Sequence, residues 1–320
     1  MDVEEPLAGR NMGPVSRRGD EVLRTAGPWT PNVHRLLQLC ADSGIDETSR
    51  PLGYTEDGRE RLSYLPGTVP AYPMPDWVWT DEVLDDAAHL LGRLHDASLP
   101  LAGVTEGWRS PVRQPAEVVC HNDFAPYNLV FDDGRLTGVI DFDYCSPGSR
   151  LWDIAYLAYT LAPLTGALAE DPFTAPQRAQ RAMGILAAYG LPASMEELLA
   201  MVVLRLHDLA DFSDEAAVRL ANPELARHAA GYRQDAERLA DGPSSRFARA
   251  SRSSSGAVHA GRELNNPSPS SEANRVAAST PRTLLPAASS RGEKLPRPAL
   301  PGETVSTPPP MPDLPGSPTS

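Results

Sequence analysis

Residues 119–156 read VCHNDFAPYNLVFDDGRLTGVIDFDYCSPGSRLWDIAY, placing His121, Asp123, Asn128, Asp141 and Asp143 within one short stretch. An Asn amide oxygen and an Asp carboxylate make an oxygen-only ligand pair. Such a pair suits Mg²⁺, which keeps much of its water and takes few protein ligands. An ion held by Asn128 and Asp141 could neutralise charge on a transferring phosphate. Phosphoryl transfer also needs a carboxylate to orient the attacking hydroxyl and accept its proton. Asp123, five residues before Asn128, is the candidate for that base. The spacing H-x-D-x-x-x-x-N, followed by a strand-terminal Asp, is that of kinase catalytic and metal loops.

These groups must be brought together by the chain between them. Residues 129–131 and 137–140 are strand-like and flank the turn Asp132-Asp133-Gly134, so a hairpin is expected. Folding back, it returns Asp141 to the neighbourhood of Asn128. A short apolar strand over 118–120 leads into the loop, and helical periodicity follows over 151–162, about 174–189, 194–211 and 222–240. An earlier helix over 80–97 has Thr80 as its cap and Leu84, Ala87, Ala88, Leu91 and Leu94 on its apolar face. Before residue 67 the pattern differs. Strand candidates at 21–24, 50–54 and 61–65 surround one helix that opens at Thr30-Pro31, with Thr30 as cap and Val33, Leu36, Leu37 and Cys40 inward.

CHNDFAPYNLVF with GVIDFDY and LWDIAY resembles the aminoglycoside phosphotransferase and choline kinase superfamily, also called the phosphotransferase enzyme family. It does not resemble a protein kinase, because Asp141-Phe142-Asp143 stands where DFG would be. The resemblance spans about residues 7–240 and is strongest over 119–156. It implies an α+β, bilobal protein-kinase-like fold, with a small β-rich N-terminal lobe (1–67) and a larger, mostly helical catalytic lobe (68–242). It also implies Asp123 as base, Asn128 and Asp141 as Mg²⁺ ligands, and Asp153 as a brace for the catalytic loop. His121 is expected to pack beneath that loop rather than do chemistry. Asp143 stays open between a supporting and a substrate-facing role, and Cys145 is expected to be a bystander.

The small lobe departs from that pattern. A kinase lysine normally reaches the α- and β-phosphates and is held by a glutamate on the next helix. The only lysine of this chain is Lys294, far outside the lobe. Arg24, at the end of the strand before the helix, is the positional substitute, with a planar fork in place of a point charge. The helix offers His34 and Gln38 where the glutamate would be. Gly9, Asn11 and Gly13, in the turn GRNMG, stand where a nucleotide-covering loop would lie; a plain hairpin turn is the competing reading. The break at Pro66-Gly67 marks the hinge, so the backbone of 63–65 is expected to pair with the donor's base.

Composition divides the chain. Residues 243–320 hold 14 of 33 prolines with many serines, and are expected to be a disordered tail. The tail carries net +4, which leaves −17 on residues 1–242 from 20 Arg against 37 acidic residues. Such a surface disfavours nucleic acid and anionic membranes and attracts cations, although acidity also simply confers solubility. Asp208, Asp211, Asp214 and Glu215 could form an anionic pocket for an aminocyclitol, or be ordinary solvated acids. Trp77, Trp79 and Trp108 could line an acceptor cleft or fill the core. Cys40, Cys120 and Cys145 show no pairing or zinc spacing, and the N-terminus lacks an apolar run; both fit the cytoplasm. The function expected is a Mg²⁺- and ATP-dependent O-phosphotransferase (GTP fits equally) acting on a small, hydroxylated, aminoglycoside-like cation. The alternative, drawn from the missing lysine and glutamate, is a nucleotide-binding pseudoenzyme. Oligomeric state is not encoded legibly.

Overall fold

The computed structural model describes residues 3–7, 15–165 and 172–241. Five antiparallel strands form the small lobe's sheet in the order β1-β2-β3-β5-β4. They are β1 (Glu4–Pro6), β2 (Ser16–Arg18), β3 (Glu21–Arg24), β4 (Pro51–Tyr54) and β5 (Glu60–Ser63). Gly19 (φ 60°) and Gly58 (φ 83°) take the left-handed conformations that turn β2 into β3 and β4 into β5. In β5 burial alternates, so Glu60 and Leu62 both face inward. Register sets Glu60 directly opposite Arg24 on β3.

Helix α1 (Thr30–Asp42) packs Val33, Leu36, Leu37 and Cys40 into the core, the expected apolar face. Thr30 is its first residue rather than its cap: the buried side-chain oxygen accepts from the Gly27 amide at 2.9 Å. Past the small lobe, the backbone of Thr68 exchanges hydrogen bonds with Phe131 (2.7 and 2.9 Å), fastening the inter-lobe connection onto the hairpin of the larger lobe. Gly67 permits that approach. With φ +139°, a Cβ there would lie 2.7 Å from the Phe131 carbonyl oxygen.

Helix α2 (Asp81–Ser98) is capped by Thr80, whose hydroxyl accepts from the Val83 amide. Strand β6 (Val118–Cys120) pairs with β9 (Ser146–Gly148), and β7 (Leu129–Asp132) with β8 (Arg135–Val139). The remaining helices are α3 (Arg150–Leu161), α4 (Ala175–Tyr189), α5 (Met195–Leu220) and α6 (Pro223–Asp241). Capping boxes at Thr174/Gln177 and Ser194/Glu197 start α4 and α5. Helix α5 runs on to Leu220, well beyond the expected end at 211, because Ser213 and Ala216 continue its buried face. Ile154, Leu157, Leu161, Ile185, Val202 and Leu206 fill the core of this lobe. Trp79 belongs to the same core, with Trp77 and Trp108 packed against it. The architecture is the expected α+β kinase-like one. Among the described residues no helix is long and apolar enough to cross a membrane. The tail expected over 243–320 lies outside the described residues.

Candidate active site

Strand β6 ends at Cys120 and the chain enters a loop hung from one buried carboxylate. Asp153, on the first turn of α3, accepts the His121 amide at 2.5 Å, the Asn122 amide at 2.8 Å and His95 Nε2 at 3.2 Å. Burial alone would raise its pKa, but His95 and these donors hold the carboxyl below the usual aspartate range. Tyr189 completes the chain by donating to His95 Nδ1 at 2.7 Å. Asp153 is therefore a brace, as the sequence suggested.

Asn122 sits at φ +65°, a left-handed conformation that asparagine tolerates better than most residues. Its side chain donates to the Tyr144 carbonyl (2.7 Å) and Ser146 Oγ (2.9 Å) and accepts from Trp152 Nε1 (2.8 Å). One residue thus ties the catalytic loop to the metal loop and to α3. From α5, buried Arg205 reaches the Asn122 carbonyl. His121 does no chemistry in this arrangement. Its Nε2 donates to the Ile140 carbonyl at 3.0 Å, leaving Nδ1 to accept the Asp123 amide, and burial lowers its pKa.

Both oxygens of Asp123 are engaged. Tyr127 donates its hydroxyl to Oδ1 and Asn128 its amide to Oδ2, each at 2.8 Å. Tyr127 is backed in turn by the Tyr156 hydroxyl at 2.6 Å. The Ile140 amide bonds the Asn128 carbonyl at 2.9 Å, so the hairpin does return Asp141 to Asn128. Burial first, and the Asp141 charge second, push the Asp123 carboxyl up to about 7. Burial and the Asp143 charge raise Asp141 as well, against Arg24 and Arg109.

A divalent cation fits here on the structure's own terms. Asp141 takes φ +69°, and its Oδ1 is buried with no hydrogen-bond partner. Asn128 spends its amide nitrogen on Asp123, so the oxygen is the end left for an ion. An unpartnered, buried carboxylate oxygen among like charges is the environment a cation resolves.

Arg24 lies at the same place. Its Nε meets Glu60 Oε2 at 2.5 Å and one terminal nitrogen meets Asp143 Oδ1 at 2.7 Å. Glu60 in turn accepts from His34 Nε2 at 2.8 Å. Asp143 also faces Arg109 at 3.4 Å, whose guanidinium lies over the Trp29 and Tyr144 rings. Asp143 is thus engaged by two arginines and faces the small lobe. Gly9, Asn11 and Gly13 lie outside the described residues.

The acidic set proposed for a cationic acceptor is otherwise employed. Asp208 receives Arg113 at 2.9 Å and Arg205 at 3.2 Å, while Asp211 and Asp214 pair with Arg233. Glu215 is an exposed acid, as is Asp211 despite its arginine. The tryptophans likewise pack: Trp77 against Phe131, Trp79 against Phe173, and Trp108 donates to the Val104 carbonyl.

Sequence reasoning passed over Asn122, Tyr127, Glu60 and Arg205. Asn122 and Tyr127 lie inside the motif, and their polarity amid a buried run was the available signal. Glu60 had a weaker one, an acid flanked by strand residues that alternate inward. Arg205 had none beyond being a charge on an apolar helix.

Residues 108–198 match the phosphotransferase enzyme family. The trifolitoxin immunity protein of Rhizobium leguminosarum bv. trifolii is 29% identical over 234 residues, covering 68% of this chain and 87% of that protein. The aminoglycoside 3'-phosphotransferase of Streptomyces fradiae is 38% identical over 89 residues, covering 27% of this chain and 30% of its own length. Among solved structures, the GDP complex of wild-type aminoglycoside 2'-phosphotransferase-IIIa superposes with a TM-score of 0.53 at 15% identity, covering 74% of this chain and 92% of the other.

Proposed function

Starting from a relative of the aminoglycoside phosphotransferase and choline kinase superfamily, a small-molecule kinase by fold and catalytic segment, we propose that the chain moves the γ-phosphoryl group of a nucleoside triphosphate onto a hydroxyl. ATP is the donor assigned, and GTP fits the same reading equally. The observation that carries the reading is the buried, unpartnered Oδ1 of Asp141, set in the same loop pair as an Asp123 fixed by Tyr127 and Asn128. A pure nucleotide binder has no use for a carboxylate oriented in that way.

Asp123 holds the acceptor hydroxyl and takes its proton, the oxygen attacks the γ-phosphorus, and the bond to the β,γ-bridging oxygen breaks to release nucleoside diphosphate. Asn128 and Asp141 are the residues that would hold Mg²⁺, and the bound ion supplies charge neutralisation on the β- and γ-phosphates. Tyr127 and Asn128 keep the base in one rotamer, so little reorganisation is left for the reaction itself. Arg24 contributes phosphate contact from the small lobe, and Asp123, Asn128, Asp141 and Arg24 together form the assigned site. Gly9, Asn11 and Gly13 complete the assignment as the donor's cover.

The acceptor is a small hydroxyl compound. Names of two relatives, an aminoglycoside phosphotransferase and a trifolitoxin immunity protein, direct the search to aminoglycosides and to trifolitoxin. Asp208, Asp211 and Asp214 are all paired to arginine, so this acidic set is not the cation pocket assigned. Purified full chain with Mg·ATP or Mg·GTP, presented with these acceptors and a panel of other alcohols, should transfer phosphate. Asp123→Asn should bind donor normally and lose transfer. Donor binding without transfer to any acceptor, unchanged by Asp123→Asn, would instead mark a pseudoenzyme.

A further inference from the structure

A kinase-like lobe without lysine must hold its donor with something else, and a single arginine at the right place is only half of a solution. A guanidinium on a flexible stem is a poor anchor unless its plane is fixed. The structure fixes it. Arg24 and Glu60 are directly opposed across β3 and β5, and the carboxylate grips the inner Nε edge at 2.5 Å. Helix α1 then secures the carboxylate from its other side, His34 Nε2 donating to Oε1 at 2.8 Å. The Glu60 side chain is 1% exposed and that of Arg24 12%. Other ion pairs on the same sheet, Arg59–Glu4 and Arg61–Glu21, are considerably more exposed. They look like ordinary surface pairing. The Arg24 arrangement buries two charges and an imidazole beside the metal loop, a costly construction without a reason to hold one geometry.

We propose that Glu60 and His34 are positioning residues for the donor's phosphates, acting through Arg24. The carboxylate comes from the neighbouring strand, and the helix supplies an imidazole in place of a glutamate. The grip on Nε leaves the terminal nitrogens out of the Glu60 contact, and Asp143 Oδ1 takes one of them at 2.7 Å. That outer contact is the one a phosphate oxygen replaces when donor binds, while the Glu60–His34 side stays fixed. A bidentate guanidinium suits phosphate geometry. The inference rests on the phosphotransferase reading and adds two residues to it.

The test is calorimetric titration of the full chain with Mg·ATP and with Mg·GTP, alongside separate KM values for donor and acceptor. Glu60→Gln should weaken donor binding at least about tenfold and raise the donor KM likewise, leaving the acceptor KM unchanged. In an Arg24→Ala background the same substitution should add nothing. His34→Ala should weaken the donor by about threefold to tenfold, and His34→Gln, which keeps a donor to Glu60, should recover most of that loss. If Glu60→Gln fails to fold, the His34 pair carries the test alone. Folded Glu60→Gln or His34→Ala protein that binds donor as wild type does, or an equal loss with and without Arg24, would overturn the assignment. Wild-type protein that binds neither nucleotide would overturn the phosphotransferase reading, and this inference with it.

Discussion

Replacing Asp153 by asparagine changes one heavy atom, a carboxylate oxygen to an amide nitrogen, at a fully buried position, and the cost can be worked from the contacts. Oδ2 accepts from the His121 amide (2.5 Å) and His95 (3.2 Å), and Oδ1 accepts from the Asn122 amide (2.8 Å). The best amide orientation keeps its oxygen at Oδ2 and turns NH₂ onto the Asn122 N–H. One charge-assisted hydrogen bond is lost, about 1.5–3 kcal/mol, and two buried donors are left facing each other, about 1–3 kcal/mol more. The expected destabilisation is about 3–5 kcal/mol, a large share of a typical domain's stability. Urea unfolding near neutral pH measures it directly. Its pH dependence carries a second signature. The folded carboxyl lies below its unfolded value of 3.8, so the stabilisation is complete above that value and disappears as pH falls through the lower, folded one. The gap between wild type and variant should therefore close at acid pH. The loop also carries Asp123, and displacement of the base by about 1 Å costs on the order of a hundredfold in rate. A loss of under about 1 kcal/mol at neutral pH, or a gap that widens on acidification, would show that the loop does not hang on this carboxylate.

Four further outcomes follow from other contacts. Asp123, raised to about 7 by burial and by Asp141, is a usable base only when ionised, so kcat/KM should fall as pH drops, with bound Mg²⁺ setting the midpoint at or below that value. Tyr127→Phe removes a donor that favours the carboxylate, so the acid limb should move upward in pH; a limb that stays put or moves down would contradict the hydrogen bond's role. Asp214→Ala should cost under about 1 kcal/mol by unfolding and leave the KM of any cationic acceptor within about twofold; a tenfold rise would restore the acidic-pocket reading. Gly67→Ala should destabilise by about 1–3 kcal/mol in urea titration, since its Cβ would meet the Phe131 carbonyl; an unchanged or raised midpoint would refute that.

What could be read ahead depended on how local the determinants were. The hairpin was legible because strand-like runs flank Asp132-Asp133-Gly134, and a tight turn leaves the chain one way to return. Helix faces were legible for the same reason, as with Val33, Leu36 and Leu37 on α1. Partners set by tertiary register were not. Glu60 meets Arg24 across 36 positions because β5, rather than β2 alone, lies beside β3. Helix α1 has no glutamate, and the carboxylate that meets Arg24 stands on a strand instead. The acidic run of α5 stayed open between a pocket and solvated acids because its counter-charges come from elsewhere, Arg113 being 95 positions from Asp208. The end of α5 was misjudged because Ser213 and Ala216 are buried by α6, which local periodicity does not register.

Arg205 carries a consequence for how such a protein can change its substrate. It stands on α5, yet it grips the Asn122 carbonyl next to Asp123 and lies over the Trp152 and Tyr156 rings. Asp208, one turn further on, is bound by both Arg205 and Arg113. Helix α5 is thus scaffold on one edge and open to variation on the other, where Leu204, His207 and Asp211 face solvent. A graft that exchanges α5 wholesale for a relative's helix would import a new pocket and dismantle the catalytic loop in the same step. Substitutions at the outward positions leave the Arg205–Asp208 edge, and with it the loop's anchor, in place.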